Sequence, residues 1–288
     1  MRRRFMVIMA ALSATVLATC GLSTPPAMPA AHRLEAPHSE ASAYWNAHRL
    51  REARPVRAHT ARDGQAAKEE RAATELRVGG LFYHDVDGGH FCTASVVDSP
   101  GRDMILTAAH CVYSEGSPRS DIAFVPDYNA GQMPYGVWTP TNIVVDDRWK
   151  SNEDPDVDVA FVELAPNNGR RIADVIGANE LVFNADSDQI VRVTGYPSSQ
   201  DAPITCVNRS SRLSASQLRF ACAGFSGGTS GSPWQAAFDP ATETGAIVGL
   251  IGGYEGGGDT DDVSYSPYFG DDIQLLYDRA TSGVVAPS

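Results

Sequence analysis

Positive charge is scarce where this chain is richest in structure-forming residues. From Arg77 onward there are 12 Lys and Arg against 28 Asp and Glu. So acidic a body is a poor partner for nucleic acid or for an anionic membrane surface. Long apolar runs are also missing. The apolar run Phe5 to Ala18 carries no charge but is too short for a membrane span, and Arg2-Arg3-Arg4 precedes it. A basic start, a short apolar core and the small residues around Met28-Pro29-Ala30 predict an export signal over 1–30, with Ala31 an alternative boundary. Leu17-Ala18-Thr19-Cys20 offers a rival reading, lipid attachment at Cys20. Ordinary secretion is favoured, because threonine fits poorly before a lipidated cysteine.

Cysteine and histidine are sparse as well. Of five cysteines, Cys20 falls in the leader, which leaves Cys92, Cys111, Cys206 and Cys222. In an oxidising compartment four cysteines predict two bridges, with three possible connectivities. Four of the seven histidines (His32, His38, His48 and His59) lie in residues 31–76. That segment is rich in Ala, Arg and Glu and has little apolar periodicity. It predicts a mobile leader or pro-segment that buries little core, with at most a short helix from Ala66 to Leu76. Only His84, His90 and His110 remain for chemistry in the body, and the first two flank a turn-forming Asp87-Gly88-Gly89.

The body itself is made of short apolar segments between turn residues. They include Leu81-Tyr83, Phe91-Val97, Met104-Ala108, Ile122-Val125, Val137-Trp138, Ile143-Val145 and Val159-Leu164. The pattern resumes at Ile190-Val193, Leu218-Ala221 and Ala246-Ile251, after a polar break within 165–185. Such spacing predicts an all-β body. Near the end, Ile273, Leu275, Leu276 and Tyr277 follow an acidic start at helical spacing, which predicts a terminal helix.

Three stretches carry chemistry. Leu106-Thr107-Ala108-Ala109-His110-Cys111 places an imidazole just after a buried strand. Asp158 opens the strand Val159-Leu164, with Asp154 and Asp156 as rival acids. Gly227-Gly228-Thr229-Ser230-Gly231-Ser232-Pro233 is a glycine-rich loop whose amides could hold an oxyanion near Ser230. Ser226, Thr229 and Ser232 are neighbouring hydroxyls. Taken alone, each stretch also reads as a structural histidine, a solvated acidic loop or an ordinary turn.

In the order His, Asp, Ser, these stretches resemble the trypsin/chymotrypsin-type serine endopeptidases over roughly residues 77–280. The order differs from that of the subtilisins and the α/β-hydrolases. Cys92-Thr93-Ala94-Ser95-Val96-Val97, Gly195-Tyr196-Pro197 and the Ser230 loop look closest to the bacterial glutamyl-endopeptidase branch. The resemblance implies a chymotrypsin-like fold of two antiparallel six-stranded β-barrels, over 77–175 and 176–288, with a disordered leader before them and a C-terminal helix after. It implies His110, Asp158 and Ser230 as a triad, Gly228 and Ser230 as the oxyanion hole, and bridges Cys92–Cys111 and Cys206–Cys222. The side-chain pocket would have its base at Gly224 and Phe225 and its wall at Gly252-Gly253-Tyr254, whose backbone could pair with an extended substrate.

Departures from the family narrow the expectations. Arg77-Val78-Gly79-Gly80 resembles a zymogen activation junction, yet Thr229 stands where trypsin-type zymogens carry the aspartate that receives the freed amine. Gly224 replaces the pocket aspartate of Arg/Lys-specific enzymes, and Ile251 replaces the histidine of glutamyl endopeptidases. The expected activity is therefore a secreted, monomeric serine endopeptidase acting on polypeptides, not specific for Arg or Lys, with no cofactor or metal. The alternative is an exported binding protein that kept the fold and lost activity. The acidic run from Glu255 to Asp262 reads as a mobile loop, with a weak calcium site as the lesser possibility.

Overall fold

A computed structural model describes residues 31–37, 40–57, 70–71 and 75–282. The expected signal at 1–30 and Cys20 lie outside these residues. The body is almost wholly β-structure, arranged in two large sheets. In spatial order the first contains Ala31–Glu35, Pro140–Asp146, Ala160–Leu164, Met104–Thr107, Gly88–Val97, Val78–Asp85 and Ala123–Pro126, with Arg54–Pro55 added beside Gly88–Val97. The second contains Glu180–Leu181, Thr244–Leu250, Pro233–Asp239, Ile190–Gly195, Ile204–Arg212, Gln217–Ala221 and Val263–Pro267, with Glu70–Arg71 beside Ile204–Arg212. Removing the strands that come from 31–76 leaves the first sheet with its expected six. In the second, the extra member is the two-residue parallel strand Glu180–Leu181. The architecture is the chymotrypsin-like one that the motifs imply.

Alternation along single strands explains how one sheet serves two cores. Leu81 and Tyr83 pack into the first core, whereas Val78 and Phe82 point to the opposite face. Phe124 likewise faces inward while Ala123 and Val125 face the other side. A period of two places successive side chains on opposite faces, so that second face must also be covered. Its cover corrects one part of the expectation for residues 31–76, that the segment buries little core. The short helices Ala41–Tyr44 and Ala47–Glu52 bury Ala41, Trp45 and Leu50 against Val78, Phe82, Tyr128 and Tyr196. The Trp45 indole donates to the Asp121 carbonyl at 2.7 Å, and its ring lies 5.5 Å from that of Phe82. Two helices of four and six residues show no period to read in a sequence. A few aromatic and branched residues nevertheless cover the sheet. The short helix expected from Ala66 to Leu76 is also absent where that span is described: Glu70–Arg71 is a strand and residues 76–77 form a turn.

The polar break at 165–185 is a seam between the sheets. Asn179 is fully buried there and donates its amide to Val96, while its side chain donates to Ser95 and accepts from Gln235 and Gly245. The terminal helix Asp271–Thr281 follows the second sheet in sequence but packs Ile273, Leu276 and Ala280 into the first core. Asp271 and Asp272 sit in its first turn, where the helix dipole favours negative charge. No described helix is long and apolar enough to cross a membrane. Trp45→Ala removes both the ring contact and the indole hydrogen bond, and should cost the docked helices about 3–5 kcal/mol. Hydrogen exchange would then rise over 41–57 while the two sheets stay protected. Unchanged protection over 41–57 would contradict the packing described.

Candidate active site

The serine loop is shaped by what flanks it. Gly228 and Gly231 both have positive φ, 98° and 86°, a region that L side chains rarely adopt. A methyl at Gly228 would overlap the Phe91 ring, and one at Gly231 would overlap the Thr93 carbonyl and the Thr107 hydroxyl. Within the loop, the Thr229 hydroxyl donates to the Ser226 carbonyl at 2.8 Å, and the Ser232 hydroxyl donates to Thr229 at 2.6 Å. Thr229 thus braces the loop from inside, and Val78 lies buried in a strand with its N–H on the Glu75 carbonyl. None of these contacts requires a freed amine.

Thr93 fastens this loop to the first sheet and was not singled out by sequence reasoning. Its N–H donates to the Ser230 carbonyl at 2.8 Å and its hydroxyl to the Gly228 carbonyl at 3.0 Å. The same hydroxyl accepts from the Tyr196 N–H, and its carbonyl accepts from the Thr107 hydroxyl. A threonine in a strand ordinarily signals only β-propensity, so nothing in the sequence marks this role. The neighbouring Cys92–Cys111 bridge joins that strand to the 3-10 turn Ala109–Cys111, which carries His110. The second bridge, Cys206–Cys222, has the expected partners too.

His110 and Asp158 meet by design of two element ends. Strand Met104–Thr107 delivers the histidine turn, and the turn Pro155–Val157 delivers Asp158. The Nδ1 of His110 lies 2.8 Å from one Asp158 oxygen, and the His110 backbone N–H donates to the other at 3.0 Å. The Gly253 N–H adds a third hydrogen bond, at 2.9 Å. Asp158 is 0 % exposed. Burial pushes its carboxyl up, but the His110 charge and the hydrogen bonds outweigh this and hold it below the usual carboxylate range. With Nδ1 occupied, the imidazole presents Nε2. That atom and the Ser230 Oγ are both buried without a hydrogen-bond partner. Trp149, whose ring centroid is 6.4 Å away, shields the imidazole. Asp154 caps its own turn and Asp156 accepts from Gln217, so neither rival acid reaches the histidine.

The pocket residues are less open than expected. Gly224 is half-buried with φ 90°. Phe225 turns its ring into the second core, edge-on to Phe220 at 6.0 Å, so it does not face a pocket. At the wall, the Gly252 N–H is bound to Tyr265, Gly253 to Asp158 and Tyr254 to Gln217, and Tyr254–Gly257 closes into a 3-10 turn. All three amides thus have partners within the chain. Gln217, also missed, links the two sides. Its Nε2 donates to the Pro155 carbonyl and to Asp156, while its Oε1 accepts from Tyr254. The run Glu255–Asp262 is folded onto the body, with the Asp261 carbonyl receiving the Phe225 N–H. Among the described residues, no cation-ligating group converges in that run; the one cluster of ligand-type atoms is His110 beside the Cys92–Cys111 bridge.

Comparison with known proteins bears on the family and the fold. The sequence profile of the trypsin-like peptidase domain matches residues 92–250, more than half of the chain. The structure is similar to that of protease Anisep from Arthrobacter nicotinovorans, with a TM-score of 0.67 and 26% identity over 75% of this chain and 100% of that one. It is similar to a thermostable serine protease, AL20, from an extremophilic microorganism, with a TM-score of 0.66 and 26% identity over 73% of this chain and 99% of that one. A Glu endopeptidase shares the fold at 16% identity, with a TM-score of 0.60 over 76% of this chain and 98% of that one. A search of curated proteins returned no match. The match to that domain over more than half of the chain, on a fold shared with solved serine proteases, places the chain in the trypsin-like peptidase domain family, as a serine endopeptidase.

Proposed function

We propose that the chain hydrolyses peptide bonds through a His110–Asp158–Ser230 triad and an acyl-enzyme. His110 Nε2 takes the Ser230 proton as Oγ attacks the scissile carbonyl, then gives it to the departing amine. Asp158 stays ionised throughout, fixing the imidazole tautomer and stabilising its charged form. The amides of Gly228 and Ser230 receive the oxyanion, and water then releases the acyl group. The observation that carries this reading is the doubly anchored, buried Asp158–His110 pair, which leaves Nε2 as the imidazole's unused nitrogen. No carbonyl of the described residues accepts from the Gly228 or Ser230 N–H, as an oxyanion hole requires.

The residue before the cut is uncharged in this proposal. Gly224 offers no carboxylate to an arginine or lysine, and Ile251 offers no imidazole to a glutamate. We further propose an exported enzyme, a reading supported by the basic and apolar start of the chain and by two bridges suited to an oxidising compartment. Gln217 acts as a positioning residue, holding the Asp158 turn against the Tyr254 wall.

A fluorophosphonate should label Ser230, and Ser230→Ala should abolish labelling and lower kcat by roughly 10⁶; labelling that survives the substitution would sink the assignment. For Asp158 the folded-state pKa is depressed, so its contribution to stability is complete above the unfolded value near about 3.9. That contribution is lost as pH falls through the lower native value. Asp158→Asn should therefore lower kcat about 10⁴-fold and destabilise the fold at pH 7, with the stability difference shrinking below about pH 4. A difference independent of pH in denaturant titrations would contradict the ionised pair. Gln217→Ala should reduce kcat/KM by about 10–100-fold. Gln217→Glu should not restore it, because a carboxylate would face Asp156; full activity in either variant would remove Gln217 from the site.

A further inference from the structure

The catalytic groups are sealed. His110 is 4 % exposed and Ser230 1 % exposed, although a nucleophile must reach its substrate's carbonyl. The segment that crosses this region comes from residues 31–76. Arg54–Pro55 runs parallel to His90–Phe91, and the Val56 N–H donates to the Phe91 carbonyl at 3.2 Å. Phe91 in turn packs against Gly228 in the serine loop. A methyl at Gly227 would lie 3.1 Å from Pro55 Cβ and would overlap the Arg57 carbonyl. One at Gly256, on the turn that follows Gly252-Gly253-Tyr254, would overlap the Arg57 guanidinium. Pro55 to Arg57 therefore touches three parts of one groove: the first-sheet edge, the serine loop and the opposite rim.

We propose that this groove binds an extended peptide and that its resident ligand is the chain's own Arg54–Arg57, which holds the enzyme latent. The inference rests on Ser230 being the nucleophile. Gly227 is the close-approach point, because only the absence of a side chain lets the Arg57 backbone lie against it. Upstream, Trp45 and Leu50 anchor the segment against Val78, Phe82, Tyr128 and Tyr196, about 4–12 residues from its contacts with the groove. Such tethering raises the effective concentration of a short ligand far above what its own contacts would require. The rim that receives Arg57 also carries Glu255, and Asp259, Asp261 and Asp262 follow, so the charge is complementary. A cut at Arg77–Val78 alone leaves every one of these contacts in place. Activation then requires the segment to leave, and a leader freed by cleavage remains an inhibitor until it dissociates.

The test measures the rate at which a fluorophosphonate labels Ser230 in the full chain and in two variants outside the catalytic machinery. Val56→Pro deletes the donor to Phe91, and Trp45→Ala loosens the anchor. Each should speed labelling by at least about fivefold, the loss of roughly one backbone hydrogen bond. A synthetic peptide spanning 40–57, added to either variant, should slow it again, whereas a peptide of the same composition in scrambled order should not. Thermal unfolding of the sheets, unchanged in the variants, separates release of the segment from damage to the fold. Equal labelling rates in all three proteins, with Ser230→Ala unlabelled, would overturn latency while leaving the triad intact. Absence of labelling in every protein, including the variants, would overturn both.

Discussion

A carboxylate with no exposure to solvent is tolerable only if its charge is met on every side, and Asp158 meets that condition by drawing three elements together. Two of its hydrogen bonds come from His110, through the ring and the backbone, and the third comes from Gly253 beyond the second sheet's Thr244–Leu250 strand. Left unpaired, an ionised group so deeply placed would be protonated or expelled. The pair therefore acts as a structural clamp between the sheets, and the proposed chemistry uses the same clamp. The same three bonds fix the imidazole's orientation and leave Nε2 as its unused nitrogen.

Around that clamp, local rules and long-range contacts cooperate. Thr93 gives the serine loop its attachment to the first sheet, and Thr229 closes the loop on itself. Positive φ at Gly228 and Gly231 lets the chain bend sharply on either side of Ser230. A glycine-rich loop that would be loose alone becomes rigid because hydroxyls and carbonyls within it are paired. Gln217 does for the acidic turn what Thr93 does for the serine loop. Both are buried polar side chains whose partners come from distant parts of the sequence, which is where such groups specify a single arrangement.

That distance explains what could be read in advance and what could not. The three candidate stretches were legible because each proposed catalytic residue sits beside a local signal: a strand followed by a cysteine for His110, an apolar run for Asp158, glycines for Ser230. The bridges followed from cysteine count and family likeness together. Strand Ile204–Arg212 escaped notice because Asn208, Arg209 and Ser211 interrupt its apolar pattern, and pairing with strands on both sides supplies the order that side chains do not. The helices within 41–52 were too short to show a period, and Trp45 declares itself only against Phe82. Phe225 was placed at the pocket base by position in a motif, yet its ring finds a better environment beside Phe220 and Trp234 in the second core.

The convergence of His110, Asp158 and Ser230 is tested most directly by a crystal structure of the protein phosphonylated at its reactive serine. The phosphorus should be bonded to Ser230 Oγ, with one phosphoryl oxygen about 2.7–3.1 Å from the Gly228 and Ser230 amides. His110 Nε2 should lie within hydrogen-bond reach of the adduct while Nδ1 keeps its bond to Asp158. An adduct on another residue, or an imidazole turned away from Ser230 with the Asp158 bond broken, would contradict the triad.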